Sequence, residues 1–255
     1  MMRLAIFSDV HGNIHALEAV LADIDTQGPF DHIVYAGDLV FGAADPVKCI
    51  AALQARNISA VLGNADELLW ELPPLDDETP EEKAYLLALV AWTQAQIGDN
   101  GMAYLRGLPF ELRFSPTSDH THDLLVVHAN PVNIHSPIYP PEELQMTLFG
   151  EIHQPDSAVE PLLEGVTAEV IVHGHVHVPS VRPIAGHMLV NIASVTRPSD
   201  GDWRAKYGIL TFEDGAWHPQ HRYVEYDVAA ARAAIQASDM PNIEEALRRT
   251  PLPTT

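Results

Sequence analysis

Leu4-Ala5-Ile6-Phe7-Ser8-Asp9-Val10-His11-Gly12-Asn13 is a short apolar run that ends in a loop carrying a carboxylate and an imidazole. Met1 to Phe7 leads straight into a strand pattern with no apolar leader and cleavage site, so no signal peptide is expected. Leu17, Val20, Leu21 and Ile24 then recur at helical spacing. His32 to Ala36 reads as a second buried strand, ending in Gly37-Asp38. Asp45-Pro46 reads as an N-cap with proline at the first helical position, and the helix turns Val47, Ile50 and Leu53 inward. Ser59 to Leu62 is a third strand, ending in Gly63-Asn64. Strand, helix and strand with short links imply parallel pairing through right-handed crossovers.

Further along, residues 71 to 79 form an acidic, proline-rich surface loop. Thr79-Pro80-Glu81-Glu82 is a capping box, and the apolar pattern carries its helix to about Ile97. Leu124 to Val127 is a fourth strand, ending at His128. Residues 130 to 165 hold many prolines and mixed helical pieces, and are expected to form a substrate lid. Glu169 to Val172 is a fifth strand, ending in His173-Gly174-His175-Val176-His177. Met188 to Ile192, Tyr207 to Phe212 and Trp217 to Tyr226 look like antiparallel strands, with Asp214-Gly215 as the turn between the last two. An alanine-rich tail from about 228 to 249 finishes in helix. No internal repeat and no linker interrupts the 255 residues, so one domain over 1–255 is expected.

Composition narrows the function. The net charge of −21, from 35 Asp+Glu against 14 Lys+Arg, disfavours general nucleic-acid and anionic-membrane binding. No apolar run approaches the roughly 20 residues of a membrane span. The single cysteine, Cys49, allows no internal disulfide and sits on a helix face as packing, so a cytoplasmic location is expected. A negative chain can still take phosphate where bound metals invert the local field.

Metal-ligand residue types sit just past the buried strand ends: Asp9 and His11, then Asp38, Asn64, His128, and finally His175 and His177. Ligand sites in open α/β sheets lie at the carboxyl ends of the strands, so these loops are expected to converge. Carboxylate, imidazole and amide oxygen suit borderline divalent ions such as Mn, Fe, Co, Ni or Zn. Two ions roughly 3.5–4 Å apart can ionise a shared water and clamp a phosphoryl group, given a bridging ligand such as Asp38.

Asp9-Val10-His11-Gly12-Asn13, Gly37-Asp38, Gly63-Asn64-Ala65-Asp66, His128 and Gly174-His175-Val176-His177 together resemble the calcineurin-like metallophosphoesterases. Asn191-Ile192-Ala193-Ser194-Val195 with Arg197-Pro198 and Asp200-Gly201-Asp202 resembles the late loop of small bacterial members. The resemblance spans roughly residues 3 to 226. It implies a four-layer α/β/β/α sandwich with mixed sheets. It also implies one metal on Asp9, His11, Asp38 and His177, and a second on Asp38, Asn64, His128 and His175. A hydroxide bridging the two would attack phosphorus in a small-molecule or nucleotide phosphoester. Among these ligands Asp38, Asn64 and His128 would carry the catalysis, with Asp66 orienting a ligand or loop.

Many members of that family place a histidine after Gly-Asn to protonate the leaving oxygen; here the position is Ala65. General acid catalysis typically contributes about 10²–10⁴-fold. Three readings follow. The substrate has an acidic leaving group, another residue such as His135 or His153 replaces the acid, or turnover is lost and the fold serves as a metal-binding interaction scaffold. The bacterial phosphodiesterase-type branch fits better than the protein phosphatases, since Leu39-Val40-Phe41-Gly42 after Asp38 offers no arginine. Arg197 and Asn13 are further candidate substrate contacts. His173 has the wrong strand parity for a ligand, and His32, His187, His120 and His122 read as structural or solvated.

Overall fold

The computed structural model describes residues 1–76, 78–150 and 152–253. In chain order the strands are β1 (Met2–Phe7), β2 (His32–Tyr35), β3 (Ser59–Ala60), β4 (Glu111–Phe114), β5 (Leu124–Val127), β6 (Val170–His173), β7 (Pro179–Ile184), β8 (His187–Ile192), β9 (Ala205–Glu213) and β10 (Ala216–Val224). The helices are α1 (Ile14–Gln27), α2 (Pro46–Ala55), α3 (Asn64–Glu67), α4 (Pro80–Arg106), α5 (Glu142–Phe149), α6 (Asp156–Val159), α7 (Val228–Ala237) and α8 (Ile243–Arg248). Two five-stranded mixed sheets result, ordered β10-β9-β1-β2-β3 and β4-β5-β6-β8-β7.

Strand alternation sets the layers, because successive side chains point to opposite faces. Leu4 and Ile6 of β1 join Val34, Val61, Val126, Val172 and Val190 in a core between the two sheets. Ala5 and Phe7 face the other way, into a core with Leu17, Val20, Leu53 and Leu89 from the helices. Leu125, Val127, Ile171 and Leu189 meet Ile138, Val159 and Leu163 on the outer face of the second sheet. The expected order of helix, sheet, sheet and helix is therefore present.

Several local expectations change. β4 and β7 have no counterpart in the sequence reading. They are edge strands, one short and charged and the other carrying Pro179 and Pro183, and edges tolerate proline that central strands exclude. β8 pairs parallel with β6 and antiparallel with β7, rather than belonging to an antiparallel block. The third strand is two residues long, although Val61 still donates to the Tyr35 carbonyl. α4 continues past Ile97 to Arg106. Gly98 (φ 59°, ψ −171°) breaks the helical path and lets the chain re-enter it. The capping box at Thr79 and Glu82 is present, whereas Asp45 makes no side-chain cap and instead pairs with Lys48 at 2.5 Å. The described part of residues 130–165 is tied to the second sheet. Arg182 reaches the carbonyls of Tyr139 (2.9 Å) and Gln154 (2.8 Å) and the Asp156 carboxylate, tying the segment to β7.

Ile6 is fully buried between the sheets and leads directly to the Asp9 loop. Replacing it with alanine is expected to lower unfolding free energy by about 2–5 kcal/mol. Urea denaturation with an unchanged midpoint would contradict this account of the inter-sheet core.

A candidate metal centre at the strand ends

The strand-end loops meet, stitched by backbone hydrogen bonds. Asp9 N–H donates to Gly37 (2.9 Å), His11 N–H to Asp38 (2.9 Å) and Gly12 N–H to Leu39 (2.8 Å). Gly174 N–H donates to His128, and Thr196 N–H to Asp9. Two donor groups form as a result, Asp9 with His11 and His177, and Asp38 with His128 and His175; within each, the donor atoms lie within 4.8 Å of one another. Asn64 joins the second group, its Oδ1 standing 2.8 Å from both His128 Nε2 and His175 Nδ1.

Asp38 stands between the groups. Its Oδ2 is 3.8 Å from His11 Nε2 and its Oδ1 is 3.4 Å from His128 Nε2. All seven expected ligands are thus assembled. Asp9, His11, Asp38, His175 and His177 all carry positive φ, between 49° and 68°. Non-glycine residues adopt that region rarely, and it clusters at functional sites where the surroundings hold it.

The hydrogen bonds fix which atoms face inward. Nδ1 of His11 faces the Phe41 carbonyl (2.9 Å), Nδ1 of His128 that of Ala36 (2.9 Å), and Nδ1 of His177 that of Arg197 (2.7 Å). A carbonyl only accepts, so each Nδ1 carries a proton, and Nε2 is the ring atom each histidine turns toward the centre. His175 is turned the other way, with Nδ1 inward. His128 Nε2 and His175 Nδ1, 3.2 Å apart, both approach an amide oxygen; a divalent cation satisfies such a set of facing lone pairs. Oxygen and nitrogen donors of this kind fit borderline divalent ions in both groups.

Electrostatics agree with a cation site. Burial pushes His175 down to about 3, so its ring is neutral and available as a donor at neutral pH. Burial works against the charged carboxylate of Asp9, yet His177, His128 and His11 beside it hold it well below the usual carboxylate range. Burial and the nearby Asp9 raise Asp38.

Asp66 touches neither group. It is fully buried, and its carboxylate accepts the N–H of Asp38 (3.0 Å), Leu39 (2.9 Å) and Val40 (3.0 Å). It therefore sets the Asp38 loop, as expected of an orienting residue. Ser8, absent from the sequence reading, donates from Oγ to Asp9 Oδ2 (2.5 Å). Glycine is required where loops touch: a Cβ on Gly63 would collide with Asp38, and one on Gly174 with Ser8 and Asp9.

A cleft of about 760 Å³ opens over the centre, lined by His11, Asp38, Asn64, His175 and His177 on its floor. Ala65 also lines it, and its N–H donates to Asp38 Oδ1 (2.7 Å). Of the expected substrate contacts, Arg197 lines the cleft and donates to the Gly42 carbonyl (2.8 Å). Asn13 does not: its Oδ1 caps α1 at Ala16 and its Nδ2 donates to Thr196 Oγ1, so it anchors the loop. His135, with a 61% exposed side chain, pairs with Glu67, and His153 pairs with Glu142; neither lines the cleft. His173 is buried beside Asn191, outside both donor groups. The remaining wall, including Trp203, Arg248 and Arg249, carried no spacing signal, because it reaches the cleft only through tertiary folding.

Asp66→Ala leaves three buried N–H groups without an acceptor and frees the Asp38 loop. It is expected to weaken Mn²⁺ binding by about 10–100-fold and to lower stability by about 2 kcal/mol or more. Calorimetric titration of metal-free protein showing wild-type affinity would reject the clamp.

Comparison with known proteins agrees with this geometry. Residues 2–215 match the family model of the calcineurin-like phosphoesterase superfamily domain. An uncharacterized protein of Methanocaldococcus jannaschii is 27% identical over 253 residues, covering 93% of each chain. The crystal structure of a metallophosphoesterase from Sphaerobacter thermophilus is 26% identical, covers 98% of each chain and superposes with a TM-score of 0.68. A hypothetical protein from Pyrococcus horikoshii shares the fold at 21% identity and a TM-score of 0.76, again over 98% of each chain. With its match running from the first strand through β9, this chain belongs to the calcineurin-like phosphoesterase superfamily.

Proposed function

We propose that the protein is a phosphodiesterase-type, dinuclear metal-dependent phosphoesterase, with Asp38 bridging the two ions. The position of Asp38, with one oxygen toward each donor group, carries this reading. Asp9, His11 and His177 would complete one site, and Asn64, His128 and His175 the other. Bound ions supply a water ionised at neutral pH and stabilise charge on the phosphoryl oxygens. The chain's own part is to hold the donors rigidly through Asp66 and the carbonyls of Ala36, Phe41 and Arg197, and to place the Arg197 guanidinium beside the phosphoryl group.

No side chain replaces the absent leaving-group acid. Among the described residues lining the cleft, every histidine and carboxylate belongs to a donor group. Arg197 remains protonated: burial, then the neighbouring Arg249, lowers it only to about 10. The substrate should therefore be an ester or anhydride whose leaving group needs no proton. The net charge of −21 supports a small substrate over a long polyanion, and a lone cysteine suits a reducing cytoplasm. No helix among the described residues is long and apolar enough to cross a membrane.

Hydrolysis of bis(p-nitrophenyl) phosphate, p-nitrophenyl phosphate and an alkyl diester, each with Mn, Ni, Co, Zn or Mg, tests the reading. The aryl diester should turn over with metal, exceed the alkyl diester by about 100-fold or more, and lose activity in Asp38→Asn. Folded, metal-loaded protein that cleaves none of them would favour the interaction scaffold.

A further inference from the structure

The cleft has two unlike walls. Its floor is the donor set, while another part of its lining is made by Arg197, Arg248 and Arg249, together with Trp203. Arg248 ends α8 and Arg249 caps it, both beyond residue 215 where the family match ends.

This arm is docked. Val228, Ala231, Ile235, Met240 and Ala246 are buried in the core that also takes up α1. Arg232 on α7 donates from Nη1 to the carbonyls of Leu247 and Thr250, both at 2.6 Å, and so captures the end of α8. Thr250 adds a hydrogen bond from Oγ1 to the Ala246 carbonyl (3.0 Å). The arm thus holds Arg248 and Arg249 at the cleft.

Charge on this wall is incompletely matched. Arg248 and Arg249 share one carboxylate, Glu245, at 2.8 Å and 2.5 Å. Arg197 makes a single hydrogen bond, to a neutral carbonyl. Three guanidiniums are gathered near Glu245 and, for Arg197, near Asp38, a cationic cluster in a chain whose total charge is −21. Arg197 and Arg249 also repel each other, a cost that an anion between them removes. The scissile phosphate would sit at the floor beside Arg197, which leaves Arg248 and Arg249 for another. Trp203, whose ring is backed by Tyr226 at 6.1 Å, adds an aromatic surface of the kind that bases stack on. A cleft of about 760 Å³ accommodates such a molecule.

We propose that the C-terminal arm is a second phosphate-recognition element and that the substrate is a nucleoside polyphosphate, its reacting phosphate on the floor and a further phosphate against Arg248 and Arg249. The proposal rests on the phosphoesterase reading and also names a substrate class for it. Nucleotide anhydrides have acidic leaving groups, which suits a cleft without a proton donor.

Binding of adenosine mono-, di- and triphosphate is measured by calorimetry and tryptophan fluorescence, with Mg²⁺ in excess so that every ligand enters as its metal complex. Wild-type affinity should rise from mono- to triphosphate by about tenfold or more, the scale of one charge-assisted hydrogen bond. R248A/R249A should flatten the series, and R248K/R249K should restore part of it. Arg232→Ala, which releases the arm, should flatten it too, and Glu245→Gln should steepen it. A flat series in the wild type, or a series unchanged in R248A/R249A, overturns the proposal. Bis(p-nitrophenyl) phosphate hydrolysis is run in parallel. Turnover with a flat series rejects the arm alone, and a steep series without turnover rejects the phosphoesterase reading alone.

Discussion

One buried carboxylate governs the order of this site. Asp66 has no exposed surface, and it accepts three consecutive backbone N–H groups at Asp38, Leu39 and Val40. Those amides point inward because the loop after β2 is turned back by Asp38 at φ 68°. The same loop supplies carbonyls to His11 and Gly12, so the first and second strand ends are set together. Five donor residues in left-handed backbone conformations would each cost about 1 kcal/mol or more. The inter-sheet core and the cross-loop hydrogen bonds over-determine them. Stability generated in the apolar layers is thereby converted into a fixed set of donor atoms.

Electrostatics then divide the cleft by function. Carboxylates and imidazoles gather on the floor, and guanidiniums gather in another part of the lining. This local arrangement runs against the strongly acidic composition. On the proposed function, it would let such a chain admit a compact phosphorylated molecule, while the charge of an extended polyanion would meet the acidic surface outside the cleft. Ala65 belongs to the same division. Its side chain offers no proton, but its N–H fixes Asp38 Oδ1.

The parts legible in the sequence were those carried by local chemistry at strand ends. Asp9, His11, Asp38, Asn64, His128, His175 and His177 each follow an apolar run, and a buried parallel strand has only one end where polar side chains can gather. The edge strands β4 and β7 were hidden by their charge and prolines, and the continuation of α4 by Gly98. Asn13 was misread as a substrate contact because an amide near a site looks the same in sequence whether it caps a helix or binds a ligand. Residues 130–165 looked like a lid because prolines mark irregular chain, yet Arg182 and Gln154 satisfy the backbone and turn irregular chain into packed structure. The arginines of α8 lie too far along the chain for any spacing to link them to the floor.

The histidines are not equivalent, and this bears on how the centre would exchange its ions. Three rings are pinned at Nδ1 by carbonyls, whereas His175 turns Nδ1 inward and its Nε2 makes no hydrogen bond among the described residues. A pinned ring keeps its donor atom aimed when the cation leaves; an unpinned ring can swing away. Ions bound here would therefore meet three rings already aimed by carbonyls, those of His11, His177 and His128, and one, His175, that no carbonyl fixes among the described residues.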